Sequence, residues 1–369
     1  MDNQIFIAAT GQHKGKTTST LGVVATLKSQ GYNVGYCKPV GQQHLSVKGD
    51  IADKDAVLFG DAIGFEVEPK IHSPVVMPSG FTAEFLDHPQ KYDLESMILE
   101  AQKELLSRHE IVVYEGTGHP GVGSIAGVSN ARVASLLNTS VVLVVEGGIG
   151  RTIDELALSL ALFEKEGVEI KGIIVNKVHA DKIERVTHYV KKALDKLGIP
   201  LLGVIPYDSI LSFPLMQTIS DALKGKTLQH EEKMDNRVEE LVAGSLIEVD
   251  EFTLFQNLLL VVNYGRFHQA VDKIQQEAKG RELDEPPLSG VVVTGDGRGG
   301  RRFSPADTHH PYLIKHQVPV ISTPYDTYDA VVKISKIEVK INSNTPWKVR
   351  RAIEMVHDNI DFDLLMGRK

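Results

Sequence analysis

The sequence predicts an α/β fold: a mostly parallel sheet covered by helices, followed by a second, smaller α/β unit. Three observations carry that prediction. In the first half of the chain, short continuous apolar runs alternate with segments of helical period. Strands buried on both faces read as such runs, and parallel strands need helical crossovers to join them. Glycines and polar residues follow the runs at their carboxyl ends, where open parallel sheets bind ligands. After Asp208 the character changes, and a second set of apolar runs begins.

Taken in order, "QIFIAAT" is the first strand, and a Gly/Lys loop follows it. Leu21, Val24 and Leu27 then recur at helical spacing, with Gly31 as the expected C-cap. "NVGYCKPVG" is the next strand. "DLESMILEAQKELLSRH" has helical period with an acidic first turn and feeds the buried strand "EIVVYEGTGH". "SVVLVVEGG", "GIIVNKV" and "PLLGVIPYD" continue the pattern with helices between them. Beyond Asp208, "LSFPLMQTISDALKGKTLQ" reads as a helix and turn, and "EEKMDNRVEELVAG" as charged and irregular. "NLLLVVNYG", "LSGVVVTGDGRGG" and "VPVISTPYD" are the strands of the smaller unit, with "ELDEPPLSG" an internal loop. A length of 369 residues suits two or three domains. The expected division is 1–210 and 211–369, the second part including a C-terminal tail.

With 42% hydrophobic and 24% charged residues, the chain has the composition of a globular protein with a buried core. A net charge of −8 argues against nucleic acid or an acidic membrane as a partner, since either needs a basic footprint. The single cysteine, Cys37, allows no internal disulfide and fits a reducing compartment. The start "MDNQIFIAATG" has neither the basic nor the apolar region of a secretion signal, and no apolar run is long enough to span a bilayer. The expectation is a cytoplasmic protein. The histidines, His13 and His309-His310 among them, show no zinc-ligand spacing. Arg298, Arg301 and Arg302 in "GRGGRRF" form the densest basic patch, read either as a phosphate site or as a solvated loop.

The stretch "IAATGQHKGKTTSTLGV" carries the chemistry. Gly15-Lys16-Thr17 matches the end of a phosphate-binding loop, whose pattern asks for a glycine five residues before Gly15. Thr10 stands there, and Gly11 is the nearest glycine, so the loop is short. A lysine at a strand-to-helix turn reaches β- and γ-phosphates, the loop N–H groups add donors, and the Thr17 hydroxyl suits Mg²⁺. Gly11, Gly15, Lys16, Thr17 and Thr18 are therefore the candidate nucleotide-binding residues.

Glu115 leaves the end of a central strand and is the main candidate carboxylate for Mg²⁺, with Asp55 and the neighbouring Asp53 as further candidates. Each has a structural alternative, a capped turn for Glu115 and a helix-start acid for Asp55. Lys38 follows a strand and is placed to neutralise a phosphate or an acidic substrate, or else to face solvent. Asn176 offers a donor and an acceptor suited to an adenine edge, though turns also use asparagine. The glycines of "EGTGHPGVGS" admit close approach of a ligand to the backbone, or make a flexible loop.

Gly15-Lys16-Thr17, "KPVG", "DAVLF", "YEGTGH", "VNKV" and "VIPYD" together resemble the dethiobiotin synthetase group of P-loop proteins, which includes relatives of cobyrinic acid amidases. The short loop resembles more closely the N-terminal domain of long bacterial phosphate acetyltransferases, which pair it with a DRTGG domain. "FPLMQTISDALKGKTLQ" and "LSGVVVTGDGRGG" onward resemble that second module, although the Asp-Arg-Thr-Gly-Gly signature itself is absent. The resemblance implies ATP and Mg²⁺ as cofactors. It gives phosphate and metal roles to Lys16 and Thr17, metal roles to Asp55 and Glu115, and an adenine role to Asn176. It also implies a homo-oligomer, with a small metabolite or a protein as partner of the second domain. The acetyltransferase domain of the long enzymes is not in this sequence, so that activity is not expected. The resulting expectation is a Mg-ATP-binding regulatory or sensory protein, in which Lys16 and Lys38 carry any ATPase chemistry. The alternatives are an ATP-dependent synthase that activates a carboxylate, and a scaffold whose assembly follows the nucleotide.

Overall fold

The computed structural model describes residues 3–244, 255–295, 303–337 and 339–368. The chain divides into two compact units. The first comprises Met1–Asp208 and Ile341–Lys369, the second Ser209–Lys340. The C-terminal tail, expected with the second domain, therefore packs with the first.

The first unit opens with β1 (Gln4–Ala9) and α1 (Lys16–Ser29), then β2 (Val34–Cys37). A short β3 (Val40–Gly41) and the hairpin β4 (His44–Val47) and β5 (Asp50–Asp53) lead into α2 (Lys54–Ile63). Next come α3 (Pro69–His72), β6 (Val75–Val76), α4 (Phe81–Asp87), α5 (Leu94–Arg108) and β7 (Ile111–Glu115). The alternation continues through α6 (Asn130–Leu136), β8 (Ser140–Glu146), α7 (Gly150–Lys165), β9 (Ile170–Val178), α8 (Ile183–Leu197) and β10 (Leu201–Pro206). Local signals set several boundaries. The Asp93 side chain caps α5 by accepting the Ser96 N–H. At the end of α1 the cap is Gln30, and Gly31 beside it takes a left-handed φ of 93°.

Six strands form a parallel sheet in the order β10-β9-β8-β1-β7-β2. The apolar runs of its central strands β1, β7 and β8 are buried almost throughout, as their continuity predicted, while the edge strand β10 is buried only at Leu202 and Ile205. On one face Phe6, Val112, Leu143 and Val175 pack against Ile98 of α5, Ala134 of α6, Phe163 of α7 and Val190 of α8. Those crossovers all run in one direction across the sheet, so right-handed connection puts their helices on one side. The β1-to-β2 crossover runs the other way and places α1 on the opposite face.

That leaves the β10 end of the opposite face without a helix from the alternating pattern, and the returning tail supplies it. There α13 (Pro346–Asn359) packs along α1 and against β10, and the Asp361 N–H reaches the Leu202 carbonyl. Helix contact is close at Gly22, where an added Cβ would lie 2.2 Å from Val356 Cβ. Gly22→Val is accordingly expected to cost roughly 1–3 kcal/mol of stability by overpacking, read as a lowered urea midpoint.

The second unit contains α9 (Met216–Ala222), β11 (Lys226–Gln229), β12 (Glu240–Ala243), β13 (Leu258–Asn263), α10 (Phe267–Gly280) and β14 (Leu288–Thr294). It continues with α11 (Pro311–Lys315), β15 (Val320–Thr323) and α12 (Thr327–Ser335), while α14 (Phe362–Leu365) closes the tail of the first unit. Its sheet order is β11-β15-β14-β13-β12, antiparallel only at β11. The segment "EEKMDNRVEELVAG", expected to be irregular, contributes the edge strand β12. Being short and charged at an edge, it lacks the apolar run that marks a central strand. Arg298, Arg301 and Arg302 lie outside the described residues. No described helix is long and apolar enough to cross a membrane.

Candidate functional site

The carboxyl ends of β1, β7 and β2 lie side by side, with Ile7 paired to Glu115 and Cys37 to Tyr114. This order brings the loop after β1 next to Glu115 and Lys38. The loop is held open by its own fold. His13 and Gly15 take left-handed φ values of 57° and 87°. At Gly15 a Cβ would fall 1.8 Å from Asn176 Nδ2, so only glycine fits there. Asn176 Nδ2 donates to the Lys14 carbonyl at 3.0 Å, and the Lys177 ammonium donates to the His13 carbonyl. Lys14 Nζ is paired with Glu146 at 2.6 Å and Glu155 at 3.2 Å. The loop carbonyls are thus tied from the β9 side, and α1 begins without a side-chain cap. A turn of this kind presents backbone N–H groups to an anion.

On the other side lies a buried charge cluster. Glu115 is fully buried, and each of its oxygens is engaged. Oε1 accepts the Thr17 hydroxyl at 2.8 Å and lies 3.5 Å from Lys38 Nζ, while Oε2 accepts the Tyr36 hydroxyl at 3.1 Å. Lys38 Nζ also contacts Asp55 directly and stands 3.8 Å from Asp53. Burial pushes the Glu115 carboxyl above its ordinary range, with Lys38 pulling against that shift. Burial disfavours the Lys38 charge, yet Asp55, Glu115 and Asp53 outweigh it and hold the ammonium above the usual lysine value. Burial and the Glu115 charge likewise keep the Tyr36 phenol protonated, hence a donor.

The donor set fits a hard divalent cation. The Thr17 hydroxyl and the Glu115 and Asp55 carboxylates are hard oxygen ligands, and the Lys38 ammonium seated among the acids marks a place that accepts positive charge. Among the described residues no group of three or more His, Cys, Asp or Glu side chains is arranged to hold a metal alone. Mg²⁺ uses few carboxylates and takes its remaining ligands from phosphates and water, so the Thr17, Glu115 and Asp55 oxygens are of the kind it binds.

The structure thus brings together Gly15, Thr17, Lys38, Asp55, Glu115 and Asn176, and Lys16 acts electrostatically on Glu115. Thr18 lies in the first turn of α1, and Gly11 sits against the Lys14 stem, where a Cβ would come within 3.2 Å of Lys14 Cε. Asp53 is a structural group: it caps α2 through the Asp55 N–H and accepts the Gln42 and Gln43 N–H groups. Asn176 uses one amide hydrogen on Lys14 and one oxygen lone pair on the Lys177 N–H, retaining one position of each kind. The glycine loop after β7 is pinned, because Asn130 bonds the Thr117 N–H, the Thr117 carbonyl and the His119 carbonyl. His13 is exposed.

Sequence reading missed Tyr36, Asn130 and the Lys14–Glu146–Glu155 tie. For Tyr36 a signal existed, since it stands in β2 only two residues before Lys38, which directly follows that strand. A cavity of about 200 Å³ adjoins the loop on the β8–β9 side, lined by Lys14, Glu146, Arg151, Lys177 and His179 among others.

A family model described as an AAA domain matches residues 3–214, more than half of the chain. The chain belongs to that AAA domain family. Its matched region spans the parallel sheet and the phosphate loop, so the first unit is a P-loop domain. Among curated relatives, the phosphate acetyltransferase of Nitrosomonas europaea is 23% identical over 98% of this chain and 51% of its own length. A probable cobyric acid synthase of Methanocaldococcus jannaschii is 27% identical over 57% of this chain and 46% of its own. The ATP-dependent dethiobiotin synthetase of Clostridium kluyveri is 29% identical over 49% of this chain and 77% of its own. The chain spans about half the length of the first two. These likenesses agree with the resemblance read from the motifs of the AAA domain unit.

Proposed function

We propose that the first unit binds Mg-ATP and that the chain is a regulatory or sensory protein with at most slow ATPase activity. The observation that carries this reading is the preformed loop, tied at the His13 and Lys14 carbonyls, with the Thr17–Glu115 pair beside it. In this reading the loop N–H groups and Lys16 bind the phosphates, and Asn176 meets the adenine edge. Bound Mg²⁺ would supply charge neutralisation at the phosphates, and Thr17, Glu115 and Asp55 are the residues to hold it. Lys38 is engaged by Asp55 and Glu115, the same carboxylates that would hold Mg²⁺, and so stands beside the place proposed for the cation. The second unit is read as DRTGG-like, taking a small metabolite or a protein.

A second reading, an ATP-dependent synthase that activates a carboxylate, has the likeness to dethiobiotin synthetase in its favour. It requires Lys38 to leave the acidic cluster and meet the substrate.

Calorimetric titration with ATP, ADP and a non-hydrolysable ATP analogue, with and without Mg²⁺, tests the assignment. ADP production is assayed on the same samples. Mg-dependent binding with little turnover supports the regulatory reading, and ADP release that requires an added carboxylate substrate selects the synthase. Absence of binding removes both. Within the test, Glu115→Gln is expected to weaken the Mg²⁺ enhancement of binding by ~10-fold or more while leaving affinity in EDTA nearly unchanged.

A further inference from the structure

Tyr36 is buried at the end of β2, with its ring stacked on Phe59 at a centroid distance of 3.7 Å and an angle of 10°. Its hydroxyl donates to Glu115 Oε2, while the Thr17 hydroxyl and Lys38 hold Oε1. The two oxygens of one fully buried carboxylate thus have separate partners. A terminal carboxylate torsion is soft and broadly populated, so an unanchored Glu115 is free to turn both oxygens toward the Lys38 ammonium. With the side chain fully buried, solvent is not at hand to hold the second oxygen in place. The stack on Phe59 fixes the direction from which the phenol reaches in.

We propose that Tyr36 is a positioning residue that locks the Glu115 carboxylate, keeping Oε1 directed to Thr17 and hence to the divalent cation of a bound nucleotide. This rests on the Mg-nucleotide reading above. Partners of this sort, standing behind a metal-binding carboxylate, fix ligand orientation and typically change metal affinity by ~10–100-fold when removed.

Tyr36→Phe removes one hydroxyl and keeps the ring, its volume and the stack. The measurement is the affinity of the full chain for a non-hydrolysable ATP analogue, in saturating Mg²⁺ and in EDTA. For Tyr36→Phe the Mg²⁺ enhancement is expected to fall by about 10-fold, the EDTA affinity to stay at the wild-type value, and thermal unfolding to remain cooperative. In a Glu115→Gln background, adding Tyr36→Phe should change the enhancement no further, because the hydroxyl acts through that carboxylate. A wild-type enhancement retained by Tyr36→Phe overturns the positioning role. So does an effect of equal size in both backgrounds, or one that lowers affinity equally with and without Mg²⁺. If the wild-type chain itself shows no Mg²⁺ enhancement, the nucleotide reading fails and the inference falls with it.

Discussion

Lys38→Met should destabilise the first unit by about 3–5 kcal/mol at neutral pH, the usual cost of leaving a buried charge without its partner. The Lys38 ammonium stands between Asp55, Glu115 and Asp53, with only 6% of its side chain exposed. Removing it leaves three carboxylates facing one another, and Glu115 has no solvent to turn to. Methionine keeps most of the stem volume, so the loss reports charge rather than a cavity. Against a total stability of typically 5–15 kcal/mol, the change is large.

The sign of its pH dependence follows from the same cluster. Burial raises the folded-state values of Glu115 and Asp53, and Lys38 opposes both shifts. Without Lys38 they rise further. Between the unfolded glutamate value of about 4.3 and the raised folded value, the folded state binds more protons than the unfolded one. Stability contributed by these groups is therefore present at low pH and lost as pH rises through the folded value. The deficit of Lys38→Met should shrink as pH falls from neutral, as seen in urea midpoints across a pH series. A variant within about 1 kcal/mol of wild type at neutral pH would show that the acids do not depend on this ammonium.

Lys16→Ala should lower affinity for Mg-ATP by roughly 100-fold or more while circular dichroism stays unchanged. One hydrogen bond to a charged group contributes about 1.5–3 kcal/mol, and a lysine that bridges two phosphates makes more than one. Lys16 is the first residue of α1, and alanine propagates a helix at least as well as lysine, so the fold has no reason to fail. Unchanged affinity by calorimetry would refute the site. The loss should appear both with and without Mg²⁺, because the ammonium contacts phosphate and has no lone pair to offer the cation.

The central strands were legible because a parallel sheet buries both faces, and its strands appear as apolar runs whatever surrounds them. The phosphate loop was legible for a similar local reason. Gly15, Lys16 and Thr17 act through backbone conformation and neighbouring groups only a few residues apart. What was not legible had partners far away in sequence. Asn130 fixes the Thr117 loop across a helix start, and Asn176 reaches Lys14 from another strand. The amphipathic pattern of α13 says that one face is buried but not against what. The edge strand β12 reads as a charged loop because only its pairing with β13 makes it a strand.

By itself the sequence determined the alternation of strands and helices, the short loop with its lysine, and the polar residues that follow each strand. Those features depend on local periodicity and on residue types at fixed spacing. Only the tertiary structure decided the strand order, which sets Glu115 and Lys38 beside the loop and seats Tyr36 behind the Glu115 carboxylate. The returning tail, too, was assigned to the first unit only there. Such choices are made by long-range burial: a sheet face left open must be covered, and a carboxylate out of reach of water must find its donors within the protein.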